Sequence, residues 1–272
     1  MNPLSPADDR AAPAEEPQNV YDDPAFFAGY EKLRRTRTGL NEALEQPALW
    51  SVLPDSLDGL DVLDLGCGFG DFARMARARG ARSVLAIDVS ANMLAAAAER
   101  TRDATIEYRR QSIEHFDSAG RAFDLVVSSL ALHYVKDYAA VVSRVATLLV
   151  PGGRFAFSVE HPICTALPGQ QWMRDAGGRP LYWPVDDYRA EGERRTRWFV
   201  AGVVKYHRTV ETYVTGLLAV GLVLRALKEP GPVAGEVAKG VPDIDLHLRR
   251  PPFLVLAADR VRHGSRGSFG GS

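Results

Sequence analysis

Residues Val62-Leu63-Asp64-Leu65-Gly66-Cys67-Gly68-Phe69-Gly70 constrain this chain more than any other stretch. An apolar run carrying one acid breaks into three alternating glycines, and a helical pattern then opens at residues 72–79. Continuous apolar character over a few residues suits a strand buried on both faces. Glycines directly after such a strand permit positive φ and let a ligand touch the backbone.

The same alternation repeats downstream. Strand patterns at 83–87, 106–108, 123–128 and 154–159 are interleaved with helical patterns at 91–100 and 138–149. Strands and helices alternating through short loops predict a parallel sheet covered by helices on both faces. Ligands of such sheets bind at the carboxyl ends of the strands. After residue 159 the alternation stops, and residues 160–206 hold Trp172, Trp183, Tyr188 and Trp198 among prolines and charges, which predicts a lid-like substrate insertion. A helix at 209–220 and strands at 222–227 and 253–257 resume the pattern, the last two pairing at one edge. The expected fold is a doubly wound α/β domain with a mostly parallel seven-stranded sheet, an antiparallel edge strand and N-terminal helices. Its cofactor-binding half spans 61–159 and its remainder 207–262. Residues 19–60 form the N-terminal cap: Asp23 caps a helix that has Pro24 at its first position, and Asn41 caps a second that reaches Leu49 or Trp50 with a break near Pro47. Residues 1–18 and 263–272 are poor in large apolar groups and are expected to be flexible tails.

Composition narrows the partners. With 33 Lys and Arg against 34 Asp and Glu, the net charge of -1 provides no overall field for nucleic acid or an anionic membrane. The two cysteines, Cys67 and Cys164, stand in no ligand spacing, so neither a metal site nor a disulfide framework is expected and the cytoplasm is the default compartment. No apolar run approaches the roughly 20 residues a membrane span needs. A small-molecule partner fits best, and the sequence leaves the oligomeric state open.

The charges around the glycines say which ligand fits. A dinucleotide turn would read GxGxxG, but Asp71 stands where its third glycine belongs. Asp64 and Asp71 bracket the turn, so a pyrophosphate there would face two carboxylates. A ligand with an ammonium and a sulfonium would be favoured, its own carboxylate meeting free backbone amides. Asp88 ends the next apolar strand, where a carboxylate can accept from a ribose diol; Ser90 then caps a helix that turns Met93 inward.

Taken in order, residues 60–160 resemble the class I S-adenosylmethionine-dependent methyltransferases, of the bacterial small-molecule type. Asp64, Gly66, Gly68 and Gly70 complete that family's acid-GxGxG turn, and Asp88 is its second-strand acid. Gln111-Ser112-Ile113 occupies the adenine position, with Ser112 where an acid often stands; residues 123–135 and Leu149-Val150-Pro151-Gly152-Gly153 match the fourth strand and the turn into the fifth. The resemblance implies S-adenosylmethionine as cofactor and S-adenosylhomocysteine as product. It places the methionine portion on the turn of Asp64, Gly66, Cys67, Gly68 and Gly70, the ribose on Asp88, adenine on Ser112 and Ile113, and Ser128 and Ser129 beside the methyl, with Val89 and Met93 as further cofactor contacts. Val159-Glu160-His161-Pro162 and Tyr206-His207-Arg208-Thr209 are also similar to bacterial small-molecule members.

A base is needed only for a protonated acceptor. His161 and His207 are the first candidates, then Glu160 and His133. Tyr21, Tyr30, Tyr134 and Trp183 are expected to contact substrate, which favours a planar, phenolic or indole-like acceptor of secondary metabolism; oxygen, nitrogen and carbon all remain open as the acceptor atom. The competing readings are an NAD-dependent oxidoreductase, a non-catalytic S-adenosylmethionine-binding module, and an RNA or protein methyltransferase using Arg194, Arg195 and Arg197.

Overall fold

The computed structural model describes residues 17–36, 39–232, 241 and 243–262. Along the chain, α1 (Pro24–Thr36) and α2 (Gln46–Trp50) lead into β1 (Asp61–Leu65), α3 (Asp71–Ala78), β2 (Ser83–Asp88), α4 (Ala91–Glu99) and β3 (Ile106–Arg110). β4 (Phe123–Ser129), α5 (Tyr138–Leu148), β5 (Leu149–Glu160) and α6 (Pro162–Thr165) follow. Two small ribbons, β6 (Met173–Arg174) with β7 (Pro180–Tyr182) and β8 (Gly192–Trp198) with β9 (Val200–His207), come next. The described chain closes with α7 (Val210–Ala219), β10 (Leu222–Lys228) and β11 (Phe253–Arg260).

Seven strands form one sheet in the order β10-β11-β5-β4-β1-β2-β3. β1 to β5 pair in parallel, whereas β11 pairs antiparallel with both β5 and β10. The reversed strand therefore lies one place inside the edge and not at it. Period-two side-chain alternation feeds two cores. Leu63, Leu65, Val126, Phe155 and Phe157 pack on the α5 and α7 face with Tyr138 and Tyr213. Val62, Leu125, Val127 and Ala156 pack on the opposite face with Leu49 of α2 and Phe72 of α3. β1 sits in the middle of the sheet, so the turn after it opens at the centre of the crest formed by the strand ends.

The N-terminal region departs from expectation in two places. Asp23 does accept from the backbone N–H groups of Ala25 and Phe26 at 2.9 Å, as its capping role predicted. Asn41, however, lies inside a π-helical turn (Asn41–Glu45) that runs straight into α2, and its side chain accepts from Arg34. Pro47 sits one residue after π-helical bonding gives way to α-helical, and the chain stays helical through it to Trp50 instead of breaking. Of the expected tails, residues 1–16 and 263–272 lie outside the described residues. Gln18 is held: its amide donates to Val204 O at 3.3 Å and accepts from Val204 N at 2.7 Å. No helix among the described residues is long and apolar enough to cross a membrane.

Candidate active site

One cavity of about 560 Å³ runs along the crest of the sheet, from Ser112 beyond β3 to Phe253 at the start of β11. Its first half lies over β1, β2 and β3. Gly66, Gly68 and Gly70 take φ of +78°, +51° and +69°, a left-handed conformation that only glycine adopts without strain. Gly66 packs so tightly that a Cβ would stand 2.5 Å from the Ala131 Cβ. Gly68 lines the cavity, and a Cβ there would meet no atom within 4 Å. Gly70 does not line it; its Cβ would meet Tyr108 Oη at 2.2 Å. Gly70→Ala should therefore cost stability, about 2–3 kcal/mol, whereas Gly68→Ala should cost only about 1 kcal/mol of backbone strain. Urea denaturation of the two variants checks the order.

The backbone amides of the turn are already engaged. Gly66 N and Cys67 N both donate to Ile87 O at 2.9 Å, Gly68 N donates to Asp88 Oδ2 at 2.9 Å, and Gly70 N donates to Cys67 O. The expected free amides for a ligand carboxylate are thus absent at these four positions. Asp88 also accepts from Ser90 N, so both its oxygens point at backbone, yet each keeps a lone pair for a hydroxyl. Ser90 caps α4 through Met93 N and donates to Asp22, which also accepts from Ala91 N and Asn92 N. This clasp pins the N-terminal segment over the end of β2.

Asp64 is the unusual group. Its carboxyl is 1% exposed, one oxygen is buried with no partner, and burial with Asp88 and Asp71 nearby pushes its pKa up to about 8. Asp71 contributes less charge than the sequence suggested, because Arg34 and Arg74 pair with it at 2.8 and 2.5 Å. The two buried acids left beside the turn are Asp64 and Asp88. An orphaned buried carboxyl beside a glycine open to the cavity fits a cationic nucleoside. Val89, Met93, Ser112 and Ile113 line this half, whereas Ser128 does not: its hydroxyl is fully buried and donates to Leu65 O. Ser129 lines the wall and donates to Glu45, a buried carboxyl of the second helical segment that also accepts from Ser158 and Gln46.

The second half of the cavity lies over β4, β5 and β11. Tyr21, Tyr30 and Tyr134 meet edge to face, with Tyr21 ring centroids 5.3 Å from Tyr30 and 6.2 Å from Tyr134. Trp198 packs on Tyr30 at 5.7 Å, and Trp183 lines the far end. His133 and Glu160 stand between these rings on the cavity wall. Glu160 N approaches His133 Nδ1 at 3.4 Å, while the Glu160 carboxylate accepts from Lys205 Nζ at 2.6 Å and Gln170 at 3.1 Å.

His161 and His207, the two preferred sequence candidates, do not line the cavity. His161 Nδ1 accepts from Ile163 N to cap α6, and its Nε2 faces Glu229 at 2.7 Å. His207 Nε2 donates to Tyr188 O at 2.9 Å, which leaves Nδ1 to accept from Thr165 Oγ1 at 2.7 Å. Both rings have both nitrogens occupied. Conversely, Lys205, Gln170, His247 and Arg250 were missed. Alternation along β9 signals Lys205, since Val203, Lys205 and His207 share the buried face; His247 and Arg250 carry no local signal.

With this geometry in hand, comparison with known proteins identifies the family. A crystal structure of an S-adenosylmethionine-dependent methyltransferase from Mesorhizobium loti is 43% identical, covers 82% of this chain and 100% of that one, and superposes with a TM-score of 0.74. The chain belongs to the S-adenosylmethionine-dependent methyltransferases. A family profile described as "Methyltransferase domain" matches residues 62–153. An uncharacterized protein of Haemophilus influenzae is 32% identical over 250 residues, 89% of this chain and 97% of that one. A malonyl-(acyl-carrier protein) O-methyltransferase of Pectobacterium atrosepticum is 35% identical over 116 residues; the match spans 43% of this chain and 45% of that enzyme, under half its length. The cofactor of this methyltransferase is S-adenosylmethionine, and the oxidoreductase reading falls away.

Proposed function

We propose that this methyltransferase acts on a small planar acceptor held over β4, β5 and β11, and that positioning, rather than a dedicated base, supplies most of its rate. The observation that carries this reading is the continuous cavity joining the acid-and-glycine half to a chamber walled by Tyr21, Tyr30, Tyr134, Trp183 and Trp198. Asp64 would hold the cofactor's ammonium, Gly66, Cys67 and Gly68 would lie along its methionine portion, and Asp88 would accept from its ribose. Met93, Ser112 and Ile113 would flank the adenine, with Ser129 near the methyl. Bound there, S-adenosylmethionine supplies a methyl group on a cationic sulfur, already activated toward a nucleophile.

The ionisable groups on the acceptor wall are poor bases. Burial holds His133 at about 4, so its imidazole is neutral at pH 7. With Nδ1 accepting from Glu160 N, its proton lies on Nε2, and the ring presents a donor. Burial alone would raise Glu160, but Lys205 and His133 draw it down to about 2. A general base works best with a pKa near the operating pH. The nucleophile therefore arrives ionised or as a free lone pair, and holding it against the methyl contributes at most about 7–11 kcal/mol. Two curated relatives, the malonyl-(acyl-carrier protein) enzyme and a ubiquinone biosynthesis O-methyltransferase of Methylobacterium sp., methylate oxygen, which supports an oxygen acceptor here. A small molecule is favoured over RNA because Arg195 pairs with Glu193, and Arg194 donates to Ala166 O and Ala190 O.

Incubation with methyl-labelled cofactor and a panel of phenols, aromatic acids and aliphatic acids tests the reading: label should enter planar acceptors, and exclusive labelling of aliphatic ones would refute it. In the same assay His161→Asn and His207→Asn should keep kcat within about an order of magnitude, short of the 10²–10⁴ loss a missing base would bring.

A further inference from the structure

The far end of the cavity holds a cation that no carboxylate among the described residues neutralises. Two arginines of the described chain line the cavity. Arg34 pairs with Asp71 and Glu42 at 2.8 and 2.9 Å. Arg250 makes no ion pair with a carboxylate among the described residues. Its Nη1 instead approaches Cys164 Sγ at 2.9 Å, its guanidinium lies over the Trp183 ring at 3.8 Å, and its Nε is buried without any partner. His247, also on the cavity wall, has Nδ1 buried and unpartnered. The nearby carboxylate, Glu160, already has its charge met by Lys205.

A half-buried guanidinium with one nitrogen shut away from any partner is costly, and this one is fixed in place. Stacking on an indole sets the plane of its donor fork, so little side-chain entropy remains to be lost when an anion docks. Arg250 precedes β11, three strand spacings from β1, or about 14 Å along the crest. The turn after β1, where the cofactor's charged end would lie, and Arg250 therefore line one cavity three strands apart.

We propose that Arg250, flanked by His247, binds a carboxylate carried by the acceptor, so that the substrate class is a planar acid anchored at the β11 end with its nucleophile turned toward β4. This rests on the methyltransferase reading of the same cavity. A carboxylate matches the planar two-donor edge of a guanidinium, and the aromatic walls leave Arg250 as the cation available to it. Trp183 and Cys164 hold the guanidinium from the side, and Trp183 is itself anchored by donating to Ile163 O at 2.9 Å.

The test measures binding by calorimetry to the protein saturated with S-adenosylhomocysteine. The probes are 4-hydroxybenzoate and indole-3-acetate, their primary amides, and phenyl phosphate. Each acid should bind about tenfold or more tightly than its amide, and Arg250→Gln should erase that preference while leaving S-adenosylhomocysteine affinity unchanged. Arg250→Lys should retain part of it. Equal binding of acids and amides, a preference that survives Arg250→Gln, tighter binding of phenyl phosphate, or no binding of any acid to the loaded protein would each overturn the assignment. Failure of the protein to bind S-adenosylhomocysteine at all would instead overturn the reading beneath it. The acid-amide comparison on the unmodified protein decides the matter even if the variants fold poorly.

Discussion

Asp64→Asn should bind S-adenosylmethionine about 10²-fold more weakly than the unmodified protein, yet melt at a higher temperature when no cofactor is present. Both effects follow from one buried carboxyl. Burial, with Asp88 and Asp71 adding like charge, raises its pKa from 3.8 to about 8. Because the folded-state value lies above the unfolded one, the folded state binds the extra proton. Stability from this group is full below about pH 4 and is lost as pH climbs toward 8. At pH 7 the group thus costs roughly 2–4 kcal/mol, which an amide at this position avoids. A cationic cofactor reverses the preference, since it needs the carboxylate ionised. The unmodified protein should therefore release a proton on binding at pH 7, with affinity rising between about pH 6 and 8, while the Asp64→Asn variant stays flat over that window. Calorimetry in buffers of different ionisation enthalpy, with melting curves across the same range, measures both. Unchanged cofactor affinity in the variant would remove Asp64 from the site.

Lys205→Met should destabilise the protein by about 3–5 kcal/mol and reverse the pH response of Glu160. Lys205 is 2% exposed, and its ammonium is the partner that holds Glu160 ionised at 2.6 Å. In the unmodified protein burial would raise Glu160, but Lys205 and His133 depress it to about 2. A depressed carboxylate contributes stability that is present above about pH 4.5 and disappears as pH falls toward 2. Without the ammonium, burial dominates and the pKa rises, so the variant should lose stability as pH increases from about 5 to 8. Urea denaturation at those two values checks the sign, and Lys205→Arg should restore most of the loss. His133 would also feel the change, because two of the three charges that act on it, Lys205 and Glu160, are then gone and only Arg208 remains.

The strands of the sheet and the glycine turn with its flanking acids were legible because each depends on short-range chemistry. Apolar runs between glycines define β1 and β2, and the acids that end them must lie at the crest whatever the rest of the chain does. Residues 61–160 were read almost element for element for that reason. Asp71 shows the limit of such reading. Its charge looked free in the sequence, but Arg34 arrives from a helix 37 positions upstream to meet it.

The acceptor half was legible only in kind. The sequence supplied histidines next to strand ends, but hydrogen bonding at each ring nitrogen decided their roles, and those partners come from distant segments: Glu229 for His161, and Thr165 with Tyr188 for His207. Ser128 and Ser129 were both expected at the cavity, but strand alternation turns the Ser128 hydroxyl onto Leu65 O and leaves Ser129 alone of the two on the wall. The sequence by itself therefore determined a mostly parallel sheet with an acid-flanked glycine turn at its centre. Only the tertiary structure decided which side chains meet across β4, β5 and β11, because contacts between segments far apart in the chain are set by packing and leave no periodic trace in the sequence.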